Sequence, residues 1–287
     1  LAHRPPPANV GLALTACLDA MELGIDDALT AAGHVENMLA AVEKLPKWRG
    51  HLYNWYDTRT LRPLEPAGVS TVDSGNLCAC LTALAAGLRK RQRPDLALRA
   101  EALSRGMNFA ALYDKSRRLM YIGYDVRREK PYGGWYDLMA SEARLTSYIA
   151  VARGEADERH WRRLSRAQLG LDGYRGLASW TGTMFEYLMP ELFLPLGPDS
   201  LLYEGAKFCL YAQKRRVGRA VPWGISESAF FALDPALNYR YKASGCQSLA
   251  LKRGQDQDLV VSPYSSFLAL CCEPGSAVRN LRRLKKR

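Results

Sequence analysis

Long apolar runs are missing from this chain. The longest window, 77–88, falls short of the roughly 20 residues that a bilayer-spanning helix needs. Asp19 and Glu22 interrupt the apolar N-terminal stretch, which excludes a secretory leader pattern, and the chain reads as soluble and cytoplasmic. Histidine is scarce: the 4 residues stand far apart without metal-ligand spacing, and His51, beside an aromatic cluster, reads as structural. The 7 cysteines are odd in number and match no zinc pattern, so buried free thiols in a reducing compartment are expected. No metal and no cofactor is expected. Acidic residues are in deficit, 29 Asp and Glu against 40 Lys and Arg, for a net charge of +11. The excess is scattered in short clusters: Arg89-Lys90-Arg91, Arg162-Arg163, Lys214-Arg215-Arg216 and Arg282-Arg283-Leu284-Lys285-Lys286-Arg287. No helix-turn-helix, zinc-finger or RNA-platform signature accompanies them, so no nucleic-acid partner is expected. The basic surface reads as solvated, or as facing acidic lipid.

Strand signals are few and short, and neither a βαβ rhythm nor a fixed-length repeat is present. What the chain has instead is helical periodicity. Helices are predicted at about 10–23 (capped by Asn9), 25–45, 73–90, 94–109, 136–152, 157–168, 183–194, 200–216, 226–233, 247–252 and 263–272. Residues 48–74 form a long loop dense in aromatic and polar groups, and 118–124 suggests a small hairpin. Helices alternating with irregular loops suit antiparallel hairpins stacked around an axis, an all-α toroid with short β-hairpin loops. Residues 1–287 read as a single domain. Because the chain begins without Met and stops inside a basic helical pattern, it is expected to be a fragment of a larger parent.

Two acidic stretches carry candidate chemistry. In Val221-Pro222-Trp223-Gly224-Ile225-Ser226-Glu227-Ser228-Ala229-Phe230, Ser226 is predicted to cap a helix starting near Glu227. An ionised carboxylate would then sit at a positive helix end beside an aromatic face, although an ordinary first-turn Glu fits the same spacing. In Trp135-Tyr136-Asp137-Leu138-Met139-Ala140-Ser141-Glu142-Ala143-Arg144, Glu142 falls early in a predicted helix with aromatic neighbours that would raise its pKa. Glycosyl transfer needs such a pair: one carboxyl to protonate or deprotonate the bridging oxygen, and one to attack or to activate water. Glu142 suits the acid/base role and Glu227 the nucleophile. Arg144, two residues on, points away from Glu142 on a helix, and reads equally as a surface or hinge arginine. Asp57 and Asp73 flank the aromatic loop, and Asp73 reads as a cap or as a ligand of sugar hydroxyls. Glu186, among apolar residues, either pairs with an Arg or faces the cleft. Tyr239 and Tyr241 form a stacking wall or lie at the core edge.

Several segments resemble the glycoamylase-like middle domain of bacterial cyclic β-1,2-glucan synthases. They are Asn54-Trp55-Tyr56-Asp57-Thr58-Arg59-Thr60-Leu61, Val69-Ser70-Thr71-Val72-Asp73-Ser74-Gly75-Asn76-Leu77, Tyr136-Asp137-Leu138-Met139-Ala140-Ser141-Glu142-Ala143-Arg144-Leu145, Ser179-Trp180-Thr181-Gly182-Thr183-Met184-Phe185-Glu186-Tyr187-Leu188-Met189-Pro190, the Val221 stretch, Asn238-Tyr239-Arg240-Tyr241 and Leu251-Lys252-Arg253-Gly254. The resemblance implies an (α/α)6 barrel and a retaining transglycosylase that closes linear β-1,2-glucan into a ring through a covalent glycosyl-enzyme. It matches Glu142 to the acid/base and Glu227 to the nucleophile. Trp55, Asp57, Asp73, Asn76, Trp135, Tyr136, Asp137, Arg144, Trp180, Glu186, Trp223 and Tyr239 fall in its cleft motifs as glucan-binding candidates. It further implies flanking glycosyltransferase and phosphorylase domains in a synthase at the cytoplasmic face of a membrane. Two departures stand out: a short link at about 89–106 where the family has a long helical insertion, and an early end at Arg287. An inverting endo-β-1,2-glucanase and a non-catalytic glucan-binding or decayed module are the alternatives.

Overall fold

The computed structural model describes residues 5–233, 235 and 239–286. About half of the chain is helical, with small sheets between the helices. It divides into two compact units, residues 1–136 with 145–163, and residues 137–144 with 164–287.

In the first unit, α1 (Pro7–Glu22), α2 (Ala28–Lys44), α3 (Thr71–Lys90) and α4 (Pro94–Gly106) pack around one apolar core. The core is built from Leu14, Leu39, Leu81, Leu84, Phe109 and Leu112, all fully buried. Helix α1 begins at Pro7 rather than after Asn9, because a proline in the first turn already has helical φ and its missing N–H bonds nothing there. Asp27 caps α2 by accepting from the N–H groups of Leu29 and Thr30, which sets its start after the expected 25. Helix α3 is long and apolar enough by composition to cross a membrane, yet 72% of that window is buried here as the core helix of the unit. Gly75 allows α5 (Arg144–Ala152) to approach α3 closely, since a Cβ there would lie 1.8 Å from the Thr146 hydroxyl. Short antiparallel strands fill the connections: Gly68–Ser70 pairs with Gly123–Asp125, and Leu119–Tyr121 with both Tyr113–Asp114 and Trp135–Tyr136. The short α6 (Arg159–Arg163) completes this unit.

The second unit contains α7 (Met184–Leu188), α8 (Leu201–Val217), α9 (Pro263–Leu268) and α10 (Pro274–Leu284), with a hairpin of Glu227–Leu233 against Tyr239–Ala243. Two expectations fail here. Residues 227–233 form a strand rather than the helix expected over 226–233: the run Ser-Ala-Phe-Phe-Ala-Leu has no polar helical face, and Tyr239–Ala243 supplies a strand partner. Residues 136–143 also stay non-helical. Ser165 exchanges main-chain bonds with Asp137 and Met139, Ser141 Oγ accepts the Ala143 N–H, and the helix starts only at Arg144.

Candidate active site

Glu227 is presented by a segment whose backbone is held at successive residues. Asn280, buried on α10, accepts from the Trp223 N–H at 3.1 Å and donates to the Trp223 carbonyl at 2.7 Å. Gly224, at φ 129°, lies so close to α9 that a Cβ would meet Ser265 Oγ at 2.6 Å, and its carbonyl accepts from Ser265 Oγ and from the Ser262 N–H. Gln213, fully buried on α8, accepts from the Ile225 N–H at 2.7 Å and donates to the Ile225 carbonyl at 2.9 Å. Ser226 does cap a helix, but not its own: its Oγ accepts the Phe185 N–H in the first turn of α7 at 3.1 Å. Buried main chain must find partners, and here side chains from α8, α9 and α10 supply them.

The carboxylate of Glu227 lies between two hydroxyls. The Thr183 hydroxyl is 3.5 Å from Oε1, and the Tyr241 hydroxyl donates to Oε2. The hairpin register explains the second contact. Glu227 faces Ala243 and Ala229 faces Tyr241, so Glu227 and Tyr241 are diagonal neighbours on one face. The Tyr264 hydroxyl donates to the Glu227 carbonyl at 2.8 Å and lies 3.0 Å from Ser226 Oγ.

Glu142, half-buried, sits on the turn just before α5. Arg144 holds that turn to α7: its guanidinium donates to the carbonyls of Ser141, Glu186 and Tyr187, and Glu191 is 3.9 Å away. Burial lowers the Arg144 pKa to about 10, opposed by the Glu191 charge. Both candidate carboxylates act on the same two phenols. The Tyr241 ring is exposed, but its crowded hydroxyl end is pushed to higher pKa by desolvation, then by the charge and hydrogen bond of Glu227, then by the charge of Glu142. Tyr264 is raised by burial and by both charges, against the opposing Ser226 bond. The sequence offers Tyr241 as a stacking wall or a core-edge residue, and gives no signal for Tyr264.

Four expected glucan contacts are corrected by their surroundings. Arg144 is 2% exposed and its donors face main-chain carbonyls, so it braces the Glu142 turn. Glu186 is buried, and among the described residues it pairs with no arginine. Its carboxylate accepts from Ser179 Oγ and from the N–H groups of Thr181 and Thr183, closing a capping box on α7. The Trp223 ring is 5% exposed, with Lys214 over it at 5.7 Å, and offers no open face for stacking. Asn76 is buried on α3. Trp180, in contrast, is 56% exposed in the second unit, and Asp137 is also exposed. Tyr239 lies in the hairpin backbone; its side chain, and all of Asn238, lie outside the described residues.

The remaining candidates belong to the first unit. Trp55 and Tyr136 are half-buried, and Trp135, likewise, donates from its indole to Asp114 at 3.0 Å with Arg117 over its ring at 4.1 Å. Asp114, which the sequence did not single out, is lowered to about 2, first by the Ser116 hydroxyl bond and, among smaller causes, by Trp135. Asp57 accepts from the N–H groups of Arg59 and Thr60 and stabilises its own turn. Asp73 is raised by burial, against bonds from Ser70 and the Ala8 N–H. All 7 cysteines are free. Among the described residues, no three His, Cys, Asp or Glu side chains gather as metal ligands.

No protein-family model matches the chain. It is 29% identical to the cyclic β-(1,2)-glucan synthase NdvB of Rhizobium meliloti (strain 1021), over an alignment that takes in 100% of this chain and 15% of that protein. The alignment is 419 positions long, more than this chain's 287 residues, so the relative carries residues that are absent here. Among solved structures, an endo-β-1,2-glucanase from Chitinophaga pinensis, in complex with sophorotriose and glucose, superposes with TM-score 0.74 at 14% identity, over 99% of this chain and 72% of that one. An endo-β-1,2-glucanase from Talaromyces funiculosus, in complex with sophorose, gives TM-score 0.76 at 15% identity over 96% and 65%. Along its whole length, then, this chain resembles a segment of a bacterial cyclic β-1,2-glucan synthase, and it shares its fold with the endo-β-1,2-glucanases.

Proposed function

We propose that the chain acts on linear β-1,2-glucan as a retaining transglycosylase with an (α/α)6-barrel architecture. Glu227 attacks the anomeric carbon while Glu142 protonates the departing glycosidic oxygen, leaving a glycosyl ester on Glu227. Glu142, now a carboxylate, takes the proton from the 2-hydroxyl at the chain's own far end. That oxygen displaces Glu227, and the ring closes without water. The arrangement that supports the reading is that Tyr241 and Tyr264, each hydrogen-bonded to Glu227, also feel the charge of Glu142. Tyr241 and Thr183 orient the Glu227 carboxylate, and the clamped backbone from Trp223 to Ser226 fixes where it stands. Trp180, the best-exposed tryptophan of the site motifs, stacks on glucosyl rings, with Asp137 of the same unit as a further glucan contact.

The relative is far longer than the matched segment, and a parent with flanking glycosyltransferase and phosphorylase domains at the cytoplasmic face of a membrane is part of the same proposal. An inverting endo-β-1,2-glucanase is the second reading, favoured by the fold shared with two such enzymes. Incubation with linear β-1,2-glucan separates the two. Mass analysis showing products one water short of the linear chain supports ring closure, whereas linear products of inverted anomeric configuration support hydrolysis. Absence of any action on this glucan overturns both.

A further inference from the structure

Helix α10 carries Arg279, Arg282 and Arg283, with Lys285 and Lys286 directly after it, and no acidic residue follows Glu273 in the chain. Its inner side is fixed to the second unit: Ala277 and Asn280 are buried, and the Asn280 amide bonds to Trp223 and to Ser266 Oγ. All five cations stand on the exposed side. The end of α8 adds Lys214, Arg215 and Arg216, with Arg219 just beyond, and the two stretches touch, since the Arg283 guanidinium donates to the Arg219 carbonyl at 3.0 Å. Lys214 pairs with Glu273 and Arg215 with Asp172. Among the described residues, Arg216, Arg219, Arg279, Arg282, Arg283, Lys285 and Lys286 form no salt bridge. Like charges one helical turn apart, as at Arg279/Arg283, oppose helix formation.

We propose that this face docks on an anionic lipid surface. The apolar residues that accompany the cations favour lipid over nucleic acid. Phe267 is 59% exposed, Leu270 36% and Val278 38%, on α9, on the turn after it and on α10 itself. Leu270 and Val278, being aliphatic, gain nothing among phosphates and sugars, whereas between lipid headgroups all three side chains reach hydrocarbon. Because the inner side of α10 is already spent on the protein, the contact is peripheral, electrostatic and sensitive to salt.

The full chain is pelleted with vesicles of phosphatidylcholine alone and with an equimolar mixture of phosphatidylcholine and phosphatidylglycerol. The protein is expected to sediment with the anionic vesicles at low salt, to be released as salt rises, and to ignore the neutral ones. Arg279→Glu and Arg282→Glu should each weaken binding by about fivefold or more. Phe267→Ser should lower the binding that survives at intermediate salt, and Lys115→Glu, on the first unit, should change nothing. Circular dichroism of each variant confirms that the fold is retained. Equal sedimentation with both vesicle types, none with either, parent-like binding by the arginine variants, or tighter binding to a single-stranded oligonucleotide than to the anionic vesicles overturns the proposal.

Discussion

Each unit buries apolar side chains, but around the candidate site the second adds buried polar side chains that grip main chain. The first closes over aliphatic and aromatic side chains from α1, α2, α3 and α4, with Leu14, Leu84 and Phe109 wholly inaccessible. In the second, buried polar side chains hold the main chain around the candidate site: Gln213 on Ile225, Asn280 on Trp223, Glu186 on the start of α7, and Arg144 on its end. Apolar packing is non-directional and tolerates small shifts. Hydrogen-bonded main chain fixes position, which is what a carboxylate must have to meet an anomeric carbon.

Variants in the two units should separate these roles. Phe109→Ala in the first and Arg144→Ala in the second should each destabilise by about 3–5 kcal/mol in urea melts, one through a cavity and the other by leaving Glu191 without its cation. Only Arg144→Ala should also abolish turnover at temperatures where the fold survives. Equal loss of turnover in both would erase the distinction.

Acidification should strike the first unit. Burial lowers His51 to about 4 from its ordinary 6.5, against an opposing bond to Asn108. The unfolded chain therefore takes up this proton first. The stability that depends on neutral His51 is fully present above pH 6.5 and is lost as pH falls towards 4, on the order of 3 kcal/mol in all. Urea midpoints across that range measure the slope, and His51→Gln should flatten it.

Smaller effects belong to the site. Gln213→Ala leaves the Ile225 N–H and carbonyl unpaired and should cost about 1–3 kcal/mol, with reduced kcat and little change in KM. Tyr241→Phe should barely move stability. It should lower kcat by roughly tenfold and shift the acid limb of the kcat/KM profile to higher pH, since a donor lost from a carboxylate disfavours its charged form. An unchanged profile would leave Tyr241 as a wall alone.

Much of the helical scaffold was legible in the sequence. The helices expected at 73–90 and 200–216 match α3 and α8 to within two residues, because periodic apolar positions and Ser caps agree with their packing. The candidate site was legible as motifs but not as geometry. Glu186 and Arg144 look like ligands in a one-dimensional reading, and only the fold shows their donors and acceptors aimed at main chain. By spacing Ser226 reads as a cap for its own helix, while the helix it caps begins some forty residues earlier, a relation that local spacing cannot encode. The strand at Glu227–Leu233 depended on a partner after a further turn, which an apolar run by itself does not announce.

The most direct test takes Glu142→Gln and Glu227→Gln separately, confirms by circular dichroism that both fold, and assays each on linear β-1,2-glucan beside the parent. The account predicts loss of about a hundredfold or more in each, because each carboxyl has a separate task that an amide cannot perform. Parent-like turnover in either variant contradicts it.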